Sequence, residues 1–213
     1  MRPELAGTVK PYGRHLFVCT GRSGWESHID TAAGLLGQIA SSFEYLKEGR
    51  ESFARKTRVN AVDDPPRGES VDLLVFPDCV RYTGVSEETW PIVRDELLAR
   101  DRPPGSLGSL APEPLAGAHV FVCVHRERDP RCGEWGPRVA DRFREEIERR
   151  ALAASVALHR TSHVGGHEFA GNVILFPAGD WYGYVRPDDV PRLLDAALSG
   201  VRVEDLWRGG ISR

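Results

Sequence analysis

The sequence contains one pattern twice, with the second copy about 100 residues after the first. The residues HLFVC at 15–19 recur as HVFVC at 119–123, and LVFP at 74–77 recurs as ILFP at 174–177. Two blocks that recur in the same order at nearly the same spacing indicate a duplicated unit of about 95 residues. A chain built in this way is expected to fold as two related halves.

A stretch rich in proline and glycine separates the two copies, as is typical of a linker. At 213 residues the chain has room for two small domains, each able to bury its own core. We therefore predict a first half at 1–101, a linker at 102–114 and a second half at 115–213. The linker residues behind this prediction are Pro103, Pro104, Gly105, Gly108, Pro112 and Pro114.

Both halves show the same order of predicted elements: a strand, an amphipathic helix, a second strand, a close pair of strands and a last helix. The first two strands should be parallel because a helix joins them, and the close pair should be an antiparallel hairpin. This is the order of a thioredoxin-like unit, so we predict an α/β fold of two tandem thioredoxin-like units with mixed sheets. The predicted strands are 15–19, 55–62, 71–76 and 79–84, and then 119–124, 154–159, 172–176 and 180–185.

Charge and hydropathy argue against two classes of partner. The 28 basic and 31 acidic residues nearly balance, with a pI of about 6.2, whereas a nucleic-acid-binding domain typically has a pI above about 9. No apolar run approaches the roughly 18 residues of a membrane span. Residues 1–12 lack the apolar stretch of a secretory signal. We therefore expect a soluble, cytoplasmic protein that binds neither nucleic acid nor membrane.

Cysteines and histidines of the second half form a candidate metal site. Cys123 and Cys132 follow a C-x8-C pattern, and His163 and His167 follow an H-x3-H pattern further along the chain. Cys123 ends the first predicted strand and His163 follows the second, so their loops should meet at one edge of the sheet. Cys132 precedes a helix predicted to open near 134–137, and the N–H groups at a helix N-terminus favour a thiolate.

The residues alone leave the metal open. Two cysteines and two histidines are chemically right for tetrahedral zinc. The eight residues between the cysteines are, however, more than the usual gap of about two to four residues in a zinc site. The same donors suit a 2Fe–2S cluster. A dithiol oxidoreductase is disfavoured because the cysteines are too far apart for a C-x-x-C motif.

The C-x8-C pattern, HVGGH at 163–167 and Phe-Pro at 176–177 together resemble the sucrase/ferredoxin-like family of thioredoxin-like ferredoxins. The sequence WRGG at 207–210 is similar to the C-terminal segment of that family. The resemblance implies a 2Fe–2S cluster held by Cys123, Cys132, His163 and His167. It also implies a one-electron carrier, with a reductase and an electron acceptor as partner proteins. No constellation of paired carboxylates supports a sucrase. A zinc-stabilised interaction module and a cluster-based redox sensor are the alternatives, and the sequence leaves a homo-oligomer open.

The implied ligand set has consequences for the reduction potential. Two thiolates and two neutral imidazoles leave the oxidised cluster without net charge, whereas four thiolates make it a dianion. A neutral centre accepts an electron more readily, as in two-histidine Rieske centres at about −150 to +300 mV against about −400 mV for plant-type ferredoxins. A ligand imidazole also keeps a second nitrogen that can hold a proton, so we predict a pH-dependent potential.

The first half lacks the ligand set. Cys19 aligns with the first ligand cysteine, but His28 stands in the place of the second, and Asp63 and Arg67 stand in the places of the two histidines. Because arginine cannot serve as a ligand, we predict a degenerate half without a cluster. Its expected role is to cover the cluster, to pack as a scaffold or to dock a partner. Cys19 and Cys79 are expected to be packing residues.

Overall fold

A computed structural model describes residues 4–47, 56–67 and 70–211. The chain divides into two compact units. The N-terminal unit is Tyr12–Leu115, and the C-terminal unit combines Ala116–Arg213 with Met1–Pro11. The grouping of the first segment with the C-terminal unit reflects hydrogen bonds: the Val9 N–H donates to the Arg208 carbonyl at 3.1 Å, and Arg208 Nε donates to Thr8 Oγ1 at the same distance.

The N-terminal unit contains five strands, two longer helices and a 3₁₀ turn at Ile29–Thr31 within the described residues. Helix α2 begins with an α-helical turn and continues as a π-helix. The elements are β1 (Arg14–Cys19), α1 (Gly34–Lys47), β2 (Thr57–Val62), β3 (Val71–Phe76), β4 (Val80–Val85), α2 (Trp90–Ile92 with Val93–Ala99) and β5 (Pro112–Pro114).

The C-terminal unit repeats this order over the part of the chain that is described. Short 3₁₀ turns at His167–Phe169, Pro187–Asp189 and Glu204–Leu206 connect its elements. The elements are β6 (Ala118–Cys123), α3 (Pro130–Arg149), β7 (Val156–Thr161), β8 (Val173–Phe176), β9 (Asp180–Tyr182), α4 (Val190–Ser199) and β10 (Trp207–Gly210).

Each unit has a mixed sheet with the same strand order. In the N-terminal unit β1 is parallel to β2 and antiparallel to β3, and the order is β2-β1-β3-β4-β5. In the C-terminal unit β6 is parallel to β7 and antiparallel to β8, and the order is β7-β6-β8-β9-β10. The parallel crossover and the antiparallel hairpin follow the thioredoxin-like plan, so the predicted fold class is confirmed.

The core of the C-terminal unit lies around β6 and α3. All six residues of β6 are buried, as expected for a central strand covered on both faces. Val139, Phe143 and Ile147 lie at helical spacing on α3 and are buried. In the N-terminal unit Ile39 and Phe43 of α1 are buried in the same way.

The stretch predicted as a linker at 102–114 packs on the N-terminal unit. Strand β5 pairs with β4, and Leu107 and Leu110 are buried. Tyr82 Oη also donates to the Gly105 carbonyl at 3.0 Å. Strand β5 thus pairs with the outer edge of β4, and the Tyr82 hydrogen bond and the two buried leucines fix the rest of this proline-rich segment on the unit.

Helix α3 begins earlier than the sequence pattern predicted. The Asp129 side chain accepts a hydrogen bond from the Arg131 N–H at 2.9 Å, and Pro130 occupies the first helical position. This N-cap and proline pair starts the helix at residue 130. Cys132 therefore lies inside the first turn, not before the helix. No helix in the described ranges is long and apolar enough to cross a membrane.

Candidate metal centre

Three of the four predicted ligands lie together in the C-terminal unit. One donor atom from each of Cys123, Cys132 and His163 lies within 4.8 Å of the other two. Cys132 Sγ is 3.8 Å from His163 Nδ1. The two cysteines are buried and His163 is half-buried. The group sits at the carboxyl ends of β6 and β7, where the parallel pairing brings Cys123 opposite Thr161.

The end of β6 and the start of α3 approach unusually closely beside Cys123. The Cys123 N–H donates to the Asn172 carbonyl at 3.0 Å, which holds the strand end. A Cβ at Gly136 would lie 2.1 Å from the Cys123 carbonyl oxygen. Only glycine allows the helix to pack this close to the strand, and the packing brings the Cys132 turn against Cys123. Gly136 could not be recognised from the sequence, because a lone glycine in a helix carries no local signal of what it contacts.

A buried histidine holds the loop that carries His163. The His163 N–H donates to His125 Nδ1 at 3.1 Å, and His125 is 2% exposed. A ring nitrogen that accepts from a backbone N–H carries no proton, so His125 has its proton on Nε2. His125 follows Cys123 by two positions in the sequence, but nothing local in the sequence predicts its contact with the His163 loop.

His167 lies outside the three-residue group. Its ring centroid is 5.7 Å from that of His163, and its Nδ1 is 3.7 Å from Asp129 Oδ2. The side chain is 48% exposed. His167 therefore borders the group and faces the N-cap carboxylate of α3. The two glycines between the histidines have positive φ angles, which gives this loop its sharp bend.

The two thiols of the group differ in acidity. The pKa of Cys123 is lowered well below that of an ordinary thiol, first because Cys132 donates to it and then because His163 and the Val164 N–H do, against the effect of burial. The pKa of Cys132 is raised, chiefly because it donates to Cys123 and because it is buried. The sequence favoured Cys132 as the thiolate, on the strength of the helix N-terminus. The contacts in the structure instead favour ionisation of Cys123, since the hydrogen bonds converge on its sulfur.

The N-terminal unit has no matching donor group among its described residues. Cys19 ends β1 as Cys123 ends β6, and it is buried. Its pKa is raised by burial first and by the nearby Asp64 carboxylate second. Cys19 pairs in register with Val62, so the residue two positions beyond the strand is Asp64, in the place that His163 has after Thr161.

The structure shifts two of the repeat alignments predicted for the N-terminal unit: Asp64, not Asp63, has the place of His163, and His28 does not have the place of Cys132. His28 is exposed and lies before α1, whereas Cys132 lies within the first turn of α3, so the two residues are not equivalent. The loop between β1 and α1 is longer than the loop between β6 and α3, which displaces the alignment. Arg67 is exposed and forms an ion pair with Glu113. Cys79 is half-buried in the turn between β3 and β4.

The donors that converge in the C-terminal unit are those of soft transition-metal sites. Two sulfurs, one of them readily ionised, and an imidazole nitrogen meet in a largely buried position, with a second imidazole at its exposed edge. Thiolate and imidazole donors suit iron–sulfur iron and zinc, whereas magnesium and calcium prefer oxygen. The residues present therefore fit a 2Fe–2S cluster.

Comparison with known proteins gives a family match over nearly the whole chain. The family described as Sucrase/ferredoxin-like matches residues 5–209. Two yeast relatives are both named Altered inheritance of mitochondria protein 32. The protein from Meyerozyma guilliermondii is 32% identical over 68% of this chain and 53% of its own length. The protein from Clavispora lusitaniae is 28% identical over 81% of this chain and 71% of its own length. The match to the first relative thus spans about half of that protein.

Solved structures give a partial likeness. A thioredoxin-like [2Fe-2S] ferredoxin from Aquifex aeolicus is 28% identical, with a TM-score of 0.41 over 45% of this chain and 93% of the ferredoxin. A second structure of that ferredoxin, at 29% identity, has a TM-score of 0.40 over 44% of this chain and 98% of its own.

Proposed function

This chain belongs to the sucrase/ferredoxin-like family, and we propose that it is a one-electron carrier whose C-terminal unit binds a 2Fe–2S cluster through Cys123, Cys132, His163 and His167. The observation that carries the proposal is the convergence of two cysteine sulfurs and one histidine nitrogen within 4.8 Å of one another. The names of the yeast relatives mention no cofactor, so the proposal depends on this geometry and on the family match.

The chain's own residues prepare the site for such a cluster. Cys123 is the thiol that ionises more readily, because three donors lower the pKa of its sulfur. The Val164 N–H is one of those donors, and hydrogen bonds to cluster sulfur ligands raise the reduction potential. Cys132 lies in the first turn of α3, where the partial positive charge of the helix stabilises a second thiolate. When bound, the cluster would supply a one-electron redox couple.

His167 gives the proposed centre an exposed edge. Its side chain is 48% exposed, whereas both cysteines are fully buried. His167 is therefore the ligand that a partner protein could reach, and we infer that the reductase and the electron acceptor both dock over this edge. All residues of the paired strands β6 and β8 are buried, so the part of the sheet that carries Cys123 is closed to water.

The decisive experiment is the composition of protein purified without oxygen. We expect red-brown protein with about two iron atoms and about two acid-labile sulfides per chain. Dithionite should reduce it, and ferricyanide should reoxidise it, with one electron per chain. Colourless protein that contains stoichiometric zinc would contradict the proposal and favour a zinc-stabilised module.

The carrier and sensor roles differ in stability towards air. A carrier should pass through repeated cycles of reduction and oxidation with its iron content unchanged. A sensor should lose or convert its cluster when it is oxidised. We expect the carrier result, and loss of iron within the first few cycles would contradict it.

A further inference from the structure

A buried arginine lies directly behind the loop that carries both histidines. Arg208 is in strand β10 and is 3% exposed. Its Nη1 donates to Asn172 Oδ1 at 2.6 Å and to the Gly165 carbonyl at 3.3 Å. Burial of a guanidinium costs free energy unless its N–H groups are hydrogen-bonded, so the fold must supply acceptors for Arg208, and the loop provides one of them.

The backbone of the loop rests on the guanidinium itself. A Cβ at Gly166 would lie 2.2 Å from Arg208 Nη2 and 2.7 Å from its Cζ. Gly166 also has a φ of 70°, a conformation that favours glycine. The loop therefore has the shape that Arg208 allows, and Phe169, just beyond the loop, places its ring 4.5 Å from the Arg208 Cζ.

Asn172 connects Arg208 to both ligand-bearing segments. Its Nδ2 donates to the Gly166 carbonyl at 2.9 Å, and its side-chain oxygen accepts from Arg208. Its own carbonyl accepts from the Cys123 N–H at 3.0 Å. A movement of Arg208 would therefore reach the histidine loop and the end of β6 together.

The N-terminal unit, whose described residues hold no donor group, is built differently at the same place. Asp72, next to Cys19 in the register of β1 and β3, stands where Asn172 stands. Its carboxylate binds the Arg81 side chain, at 2.8 Å from Nε. The outer strand β5 has the sequence PEP, with no arginine where β10 has Arg208.

From these contacts we propose that Arg208 is a positioning residue for the metal centre: it fixes the His163–His167 loop and adds a positive charge that raises the potential of the bound cluster. The proposal rests on the proposed function for its redox part only. Its structural part concerns how tightly the site holds any metal. An arginine is needed because a lysine cannot donate to two acceptors in a fixed fork while its side chain packs against the loop.

The test compares Arg208→Gln and Arg208→Lys with Arg202→Gln in the full chain. Arg202 lies in the same C-terminal segment but contacts Trp207 and Asp180 instead of the loop, so it is the matched control. We expect Arg208→Gln to lower the midpoint potential and to weaken metal retention against a chelator by about 10-fold to 100-fold. Arg208→Lys should keep the potential close to that of the wild type, because the charge remains, yet should lose metal faster.

Asn172→Asp provides a second variant if the Arg208 variants do not fold. It keeps the acceptor for Arg208 but removes the donor to Gly166 and adds a negative charge. We expect a lower potential and faster metal loss. If Arg208→Gln and Asn172→Asp hold metal as tightly as Arg202→Gln does and have the same midpoint potential, the proposal is overturned.

Zinc provides the readout that separates the two proposals. If the wild-type protein binds zinc and no cluster, the proposed function fails, and the zinc affinity of Arg208→Gln then tests the positioning role. A loss of about 10-fold or more in zinc affinity supports that role, and an unchanged zinc affinity overturns it.

Discussion

Cys132 Sγ lies 3.8 Å from His163 Nδ1, although 31 positions separate the two residues in the chain. One belongs to the first turn of α3 and the other to the loop after β7, and Cys123 joins them from the end of β6. The donor group is thus assembled from three separate segments of a single unit. Its integrity depends on each donor and on the close packing of α3 against β6.

Removal of one cysteine donor should abolish cluster binding. We expect Cys132→Ala to fall to background in iron and acid-labile sulfide, because a cluster iron left with an open position is readily lost. Cys19→Ala is the matched control, since Cys19 is also buried but has no donor group around it in the described part of its unit. Equal iron contents in the two variants would contradict the ligand assignment.

Replacement of a histidine by cysteine should lower the potential. In His163→Cys a thiolate replaces a neutral imidazole, so the centre gains one negative charge and accepts an electron less readily. The expected shift is downward by something on the order of 100–300 mV, which electrochemistry would measure. His28→Cys places a cysteine at an exposed position of the N-terminal unit and should leave the potential unchanged. The pH dependence expected of imidazole ligands stays a prediction, which the same measurement at several pH values would test.

The close approach at Gly136 should make it intolerant of a methyl group. In Gly136→Ala the new Cβ would lie 2.1 Å from the Cys123 carbonyl, so α3 must move away from β6. We expect a loss of about 1–3 kcal/mol in the free energy of unfolding of the metal-free protein, measured with urea, together with weaker metal retention. Gly24→Ala is the control because a Cβ there has no atom within 4 Å. Equal midpoints for the two variants would show that the helix yields without cost.

The fold could be predicted from the repeated sequence because strands and helices leave local, periodic patterns of apolar residues. The apolar runs of β1 and β6 and the spacing of Val139, Phe143 and Ile147 follow directly from burial on strands and helices. The meeting of Cys123 with His163 followed from the parallel pairing of two strands. These inferences needed only the order of the elements and the rule that parallel neighbours end at one edge.

The errors concern contacts that the order of elements does not determine. The N-cap at Asp129 and Pro130 starts α3 earlier than its apolar pattern does, and the longer loop after β1 shifts His28 away from the position of Cys132. Strand β10 places Arg208 behind the ligand loop although Arg208 is 43 positions from Gly165 in the chain, and no local signal predicts that contact. The residues that support the site are therefore identified by where the fold places them, which the residue type alone does not show.

A buried histidine in the N-terminal unit should make the protein sensitive to acid. His15 is fully buried, and its pKa is lowered to about 3, first by burial and also by Arg58, against the hydrogen bond to Asn60. Its Nε2 lies 2.9 Å from Asn60 Oδ1, and its Nδ1 lies 3.0 Å from Tyr12 Oη. A neutral ring satisfies both contacts, with the proton on Nε2.

The sign of the pH effect follows from the lowered pKa. Between pH 6.5 and about pH 3 the unfolded chain binds a proton on this residue that the folded protein does not. Stability is therefore fully present above pH 6.5 and is lost as the pH falls, by about 2 kcal/mol at pH 5 from this residue alone. In His15→Gln the amide cannot titrate, so the difference in unfolding free energy between pH 7.5 and pH 5 should shrink by about that amount. His28→Gln, which removes an exposed histidine, should leave the difference as in the wild type, and an equally steep loss in His15→Gln would show that another group controls the acid sensitivity.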